Sequence, residues 1–208
     1  MNSHVTQACR CGSIGAPKDI RFCEEHHRYW LGDSELASVS KVIKAVLPTD
    51  YSKVDAAVLE HARIRGERVD RYFSEYLRTG TVQVLPGEWK DVVERLSKLI
   101  PWWDTSGLQA LAVQEIVFSE EDGIAGMLDI RILDGVIDLK VVSELQPAYA
   151  LQLGAYLDYA GVNGAAILHA SSNGVRLVNY DVRQCWQWWR SCVTWWKAMQ
   201  EINEKRSA

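Results

Sequence analysis

The stretch AGMLDIRILDGVIDLKVV, residues 125–142, constrains the fold more than any other. Apolar residues run almost unbroken on both sides of Asp134-Gly135, a dipeptide that favours a tight hairpin turn. A strand that is apolar on both faces is covered on both faces, so helices are expected on each side. Yet Asp129 stands in the first strand, and Asp138 and Lys140 in the second. Residues two apart in a strand point to one face, so this acid and base share a side. An unpaired buried charge costs several kcal/mol, so these charges need partners or a task.

The flanking pattern places the hairpin in a larger sheet. LAVQEIVF (111–118) reads as a third strand, joined through Asp122-Gly123 and carrying Glu115 between Val113 and Val117. Upstream, 37–48 reads as a short helix with Ser38 or Ser40 as N-cap and Pro48 at its end. Ser52–Asp55 resembles a capping box opening a long helix to about Leu77, stopped near Gly80, and Pro86 to about Ile100 reads as another. Downstream come a helix over 147–161, strands over 164–171 and 174–180, and a Trp-rich helix from Asp181 to about Lys205. The expected fold class is α/β (α+β): a central mixed β-sheet flanked by helices, in αβββαββ order, with extra N- and C-terminal helices. A Cys/His-rich segment (1–35) is expected to precede the main domain (36–208).

No apolar run approaches the roughly 20 residues that span a bilayer, and MNSHVTQACRCG lacks the layout of a secretion signal, so a cytoplasmic protein without membrane partners is expected. A net charge of −4 does not advertise nucleic-acid binding, but acids gathered around a metal are neutralised locally. Five cysteines, an odd number, argue for metal ligation or free thiols rather than a disulfide framework.

Three consecutive strands each place a carboxylate in an apolar run: Glu115, Asp129 and Asp138. Adjacent strands lie about 4.8 Å apart, so such carboxylates converge and repel unless a cation joins them. Mg²⁺ or Mn²⁺ takes oxygen donors of this kind. Lys140, two residues past one acid, is placed to orient a metal-bound water.

With YALQLGAY following, the series resembles the catalytic core of the PD-(D/E)XK nuclease superfamily, and is most similar to its RecB-like and phage exonuclease branch. That branch carries a Glu on a first strand, G-x-x-D on a second, D/E-x-K on a third, then Q-x-x-x-Y on a helix. These fall on Glu115, on Gly126 to Asp129, on Asp138 with Lys140, and on Gln152 with Tyr156, over about residues 60–160. SVSKVIKAVLP also looks like an upstream helix of phage members. The resemblance implies a restriction-endonuclease-like core and phosphodiester hydrolysis. Asp129 and Asp138 would be the main metal ligands, with Glu115 and the Leu139 carbonyl completing the shell. Lys140 would position or deprotonate the attacking water, and Gln152 would contact the site. Many relatives place a His after R-G-x-x-V; here RGERVD puts Asp70 there, a hard donor in its own right, with Glu67 one turn away.

Around this site, Tyr156 and Tyr149 are candidates to contact a nucleotide. Arg63, Arg65 and Arg68 are candidates to hold phosphates, or form a solvated helix face. Cys9, Cys11, Cys23 and His26 supply the four ligands of a closed tetrahedral Zn²⁺ site, with His27 or His4 as substitutes for His26. Trp186, Trp189, Val193 and Trp196 form a helical stripe suited to a core, whereas Trp188 and Trp195 face elsewhere, as for a homo-oligomer interface. The leading expectation is a Mg²⁺/Mn²⁺-dependent DNA exonuclease in recombination, repair or phage DNA processing. A structure-specific or single-strand endonuclease, or a silent DNA-binding module on the same fold, are the alternatives.

Overall fold

The Asp134-Gly135 hairpin lies at the middle of a mixed sheet. The computed structural model describes residues 20–207. In chain order these form β1 (Ile20–Cys23), β2 (Arg28–Leu31), β3 (Ser34–Ser38), α1 (Val39–Val46), α2 (Ala56–Thr79), α3 (Lys90–Thr105), β4 (Ala112–Ser119), β5 (Ile124–Ile132), β6 (Gly135–Lys140), α4 (Ala148–Ala160), β7 (Ala165–Ser171), β8 (Gly174–Asn179) and α5 (Val182–Ser207). The described strands join in the order β1-β2-β3-β5-β6-β7-β8, with β4 also on β5. β3 runs parallel to β5, and β6 parallel to β7 through α4; the other pairs are antiparallel.

Both faces of the hairpin are covered, as its apolar sequence requires. On one side Leu128, Val136 and Ile167 pack with α1, α4 and α5 through Val39, Leu153, Tyr156 and Trp189. On the other, Ile130, Ile137, Leu139 and Leu168 pack with α2 and α3 through Val69, Phe73, Leu96 and Trp103. A third cluster around Ile20, Tyr29, Leu36 and Ile116 fastens β1–β3 to β4 and β5.

Several boundaries differ from the sequence expectation. Ser38 caps α1, accepting from Lys41 N. α2 is capped by Asp55, which accepts from Ala57 N and Val58 N, so Ser52 plays no part. α3 begins at Lys90, after Trp89, and continues through Pro101 to Thr105. Pro101 is exposed, so its ring and missing N–H fall on the solvent side while Leu99 and Trp103 keep the helix on the core. Residues 20–38 form three strands joined by turns, where a Cys/His-rich segment to residue 35 and a helix from residue 37 were expected. The expected domain boundary after residue 35 falls inside β3, which pairs with β5. In α5, Trp189 and Val193 are buried with Cys185 and Cys192, whereas Trp186 is exposed and donates from Nε1 to Asp158. Trp188 and Trp195 are exposed.

Candidate active site

The site sits in a fork of the sheet. β4 covers one edge of β5 from Ile124 to Arg131. The opposite edge is shared: β3 pairs at Ile124 and Ala125, and β6 at Ile130 to Ile132. Between them, Gly126 to Asp129 have no strand on that side among the described residues. Gly126 lets the helices close over this gap. A Cβ there would stand 2.9 Å from Val39 Cγ2 and 3.0 Å from Tyr156 Cε1. Asp129 turns into the gap, where its Oδ2 accepts from Leu139 N at 2.7 Å.

Asp138 lies beside it on β6 and is fully buried. Its Oδ2 is 2.5 Å from Lys140 Nζ. That ammonium engages Oδ2, while Oδ1 has no hydrogen-bond partner among the described residues. Burial pushes Asp138 up from the usual carboxylate range, against the pull of Lys140. Asp129 is pushed well up by burial, then by the charges of Asp138 and Asp70. Burial alone would lower the Lys140 ammonium, but Asp138 and Asp129 outweigh it and hold it above its ordinary value.

Asp70, on α2, is the third carboxylate of this cluster. Burial raises it first, with Asp138 adding to the effect, while a bond from Gln114 opposes them. Gln114 Nε2 donates to Asp70 Oδ2 at 3.0 Å, and Arg78 Nη2 donates to Gln114 Oε1 at 2.8 Å. Gln114 holds a left-handed φ of 54°, uncommon for a side chain of this kind and a mark of a constrained position. Sequence reasoning passed over Gln114 and Arg78; the available signal was a polar residue interrupting AVQEIVF. Tyr29 was missed too. Burial raises its hydroxyl, and Asp129 adds to that shift, so the N-terminal strands reach the site.

The other expected residues are placed differently. Glu115 is opposite Leu128, not Asp129, and its Oε1 accepts from Arg131 Nη1 at 2.9 Å. The charge of Asp70, and not that of Glu115, acts on Asp129 alongside Asp138. Tyr156 is a correction to the nucleotide-stacking expectation: it is 4% exposed, packed in the core. Burial, then Asp138 and Asp129, push its hydroxyl well up. Gln152 donates to that hydroxyl at 2.8 Å and so lies one step behind the carboxylates. Tyr149 is half-buried, its ring centroid 5.0 Å from Lys140 Nζ.

The arginines of α2 do not converge on the carboxylates. Arg63 pairs with Glu60 and Glu67, Arg65 with Asp91, and Arg68 with Glu88 while lying over Trp89. They tie α2 to itself and to its α3 side, as the solvated-face alternative has it; Glu67 belongs to that surface network.

A fully buried carboxylate oxygen without a partner, Asp138 Oδ1, and acids raised by one another are what a hard cation relieves, and such oxygen donors suit Mg²⁺ or Mn²⁺. Among the described residues no three acidic, Cys or His side chains stand in ligand geometry; Lys140 and the Leu139 amide engage the carboxylates instead.

Cys9 and Cys11 lie outside the described residues. Cys23 ends β1, buried, with Sγ 3.3 Å from His26 Nδ1. His27 turns away, against Phe22 and Tyr29. Cys185 and Cys192 are core thiols, both pushed up to about 11 by burial.

An antiparallel β4-β5-β6 unit, an α4 crossover to a parallel β7, and acids at the β5-β6 fork are now all in place. The topology is restriction-endonuclease-like. The core is similar to LHK-Exo solved with dAMP, at 11% identity and a TM-score of 0.47, over 82% of this chain and 90% of that one. It is similar to an alkaline exonuclease (LHK-Exo) from Laribacter hongkongensis at 10% identity and 0.43, over 83% and 93%. A protein assigned as an exonuclease, from Eubacterium rectale, matches at 17% and 0.49, over 82% and 79%. No family model and no curated protein matches the chain.

Proposed function

We propose that the chain is a metal-dependent deoxyribonuclease that hydrolyses phosphodiester bonds, and an exonuclease serving recombination, repair or phage DNA processing. The observation that carries this reading is the fork in which buried Asp138 pairs with Lys140 while Asp129 and Asp70 add their charges. Asp70, Asp129, Asp138 and the Leu139 carbonyl would hold Mg²⁺ or Mn²⁺. When bound, the ion acidifies water and offsets charge on the phosphate under attack. Lys140 holds its ammonium beside Asp138 and orients the nucleophile. Tyr149 walls the cleft over Lys140 and meets the substrate there. Gln152 and Tyr156 act behind the carboxylates: their hydrogen bond fixes the α4 face that closes the fork.

The deciding assay offers linear and covalently closed circular DNA with Mg²⁺ or Mn²⁺. An exonuclease degrades the linear form and leaves the circle intact. Nicking or linearisation of the circle would replace this reading with the endonuclease on the same site, and no cleavage of either would leave a silent binding module. A structural Zn²⁺ on Cys9, Cys11, Cys23 and His26 is proposed alongside, supported by the Cys23–His26 approach. Elemental analysis of purified protein should find about one zinc per chain. Its absence, or unchanged zinc in Cys23→Ser, would remove the site. Among the described residues no helix is long and apolar enough to cross a membrane.

A further inference from the structure

The β7–β8 hairpin carries a basic group that the proposed chemistry leaves unused. Lys140, His169 and Arg176 are register partners across β6, β7 and β8. Paired residues face the same side of a sheet, so the three form a row from the site lysine toward the sheet edge. His169 is 3% exposed. Its Nε2 is 2.9 Å from the Val142 carbonyl, which can only accept, so that nitrogen carries the proton. Nδ1 then accepts from Arg176 Nε at 3.3 Å. A buried, neutral imidazole thus fixes the direction of an exposed guanidinium.

The terminal nitrogens of Arg176 have no acidic partner among the described residues. Arg63, Arg65, Arg68, Arg131 and Arg190 have one, and Arg71, Arg78, Arg95 and Arg183, like Arg176, do not. The cavity beside Arg176 is lined by Ser143, His169, Ser171 and Asn173, with no carboxylate in its wall. A guanidinium held at one N–H, with its fork open onto hydroxyl and amide groups, suits a phosphate.

We propose that Arg176, aimed by His169, binds a backbone phosphate of the substrate strand. This rests on reading the chain as a deoxyribonuclease. Two strand spacings of about 4.8 Å separate Arg176 from Lys140, so the contact falls on a phosphate neighbouring the one that is cut. Arg176 is therefore a substrate-positioning contact outside the carboxylate cluster.

The test measures binding of a fluorescein-labelled single-stranded oligonucleotide in EDTA, and Mg²⁺-dependent cleavage in parallel. Arg176→Ala should weaken binding about tenfold and reduce the slope of log K against log[salt] by roughly 0.7–0.9, the signature of one lost phosphate contact. Arg176→Lys should keep the slope, since the charge remains, but lose part of the affinity with the fork. In cleavage, KM should rise and kcat hold. Arg21→Ala, which removes an exposed arginine near Asp33, should change neither. If wild type cleaves DNA while Arg176→Ala retains its affinity and slope, the subsite is wrong and the nuclease reading stands. If wild type neither binds nor cleaves DNA, both fall together.

Discussion

Asp129→Asn should lose Mg²⁺-dependent DNA cleavage by at least about a thousandfold, the scale seen when a main transition-state group is removed. The same protein should unfold at a higher temperature than wild type at pH 7–8. The two effects have one cause. Asp129 is partly buried, and desolvation with the charges of Asp138 and Asp70 raises its carboxyl well above the usual range. The folded state therefore holds the proton more tightly than the unfolded state. The stability belonging to that proton is complete below the unfolded value, about 3.9, and is lost as pH rises through the folded value. Asparagine keeps an oxygen for the Leu139 amide and carries no charge, so its advantage appears at neutral pH and vanishes in acid. Mg²⁺ or Mn²⁺ should raise the melting temperature of wild type but not of Asp129→Asn. Lys140→Ala should lose cleavage equally and yet be less stable, because it strips the buried Asp138 of its cation. Thermal unfolding across pH, with cleavage assayed in parallel, reads all of this. Equal destabilisation by both changes would reduce the cluster to a structural ion network.

Gly154→Ala should cost about 2 kcal/mol or more, a fall in Tm of roughly 4–8 °C for a chain of this size. α4 and α5 touch at this residue. A Cβ would stand 2.2 Å from the Cys185 carbonyl oxygen and 2.8 Å from Trp189 Cβ. Neither neighbour is a flexible tip, so α5 must move, and with it fully buried Trp189. Alanine's gain in helix propensity, about 1 kcal/mol, is too small to offset that. Gly66→Ala in α2 is the internal control, since a Cβ there meets nothing within 4 Å. It should stabilise by roughly 0.5–1 kcal/mol. Calorimetry showing the same sign for both would contradict the described α4–α5 contact.

Much of the architecture is legible in the chain's local patterns. Gly80 and Gly161 mark where elements end, the β5–β6 turn falls one residue before the Asp134-Gly135 signal, and unbroken apolar strands demand helices on both faces. Local rules suffice there because each signal acts on its own few residues. They fail where a distant segment decides. The strands of residues 20–38 carry little periodicity, and β3 exists as part of this sheet through its pairing with β5. Tyr156 sits at the spacing of a substrate contact, yet the close passage over Gly126 buries it.

The candidate site divides in the same way. That Asp129, Asp138 and Lys140 share one hairpin follows from the sequence pattern, but the turn falls on Leu133-Asp134 rather than on Asp134-Gly135, and that sets the register. Which carboxylate joins them does not follow. Glu115 lies on the adjacent strand, but its register opposite Leu128 delivers it to Arg131. Asp70 arrives from α2, held by Gln114 at a left-handed kink of β4. The two strands of the hairpin meet by local geometry; the helix that completes the cluster is positioned by long-range packing of Val69 and Phe73 on the sheet, which no short stretch of sequence encodes.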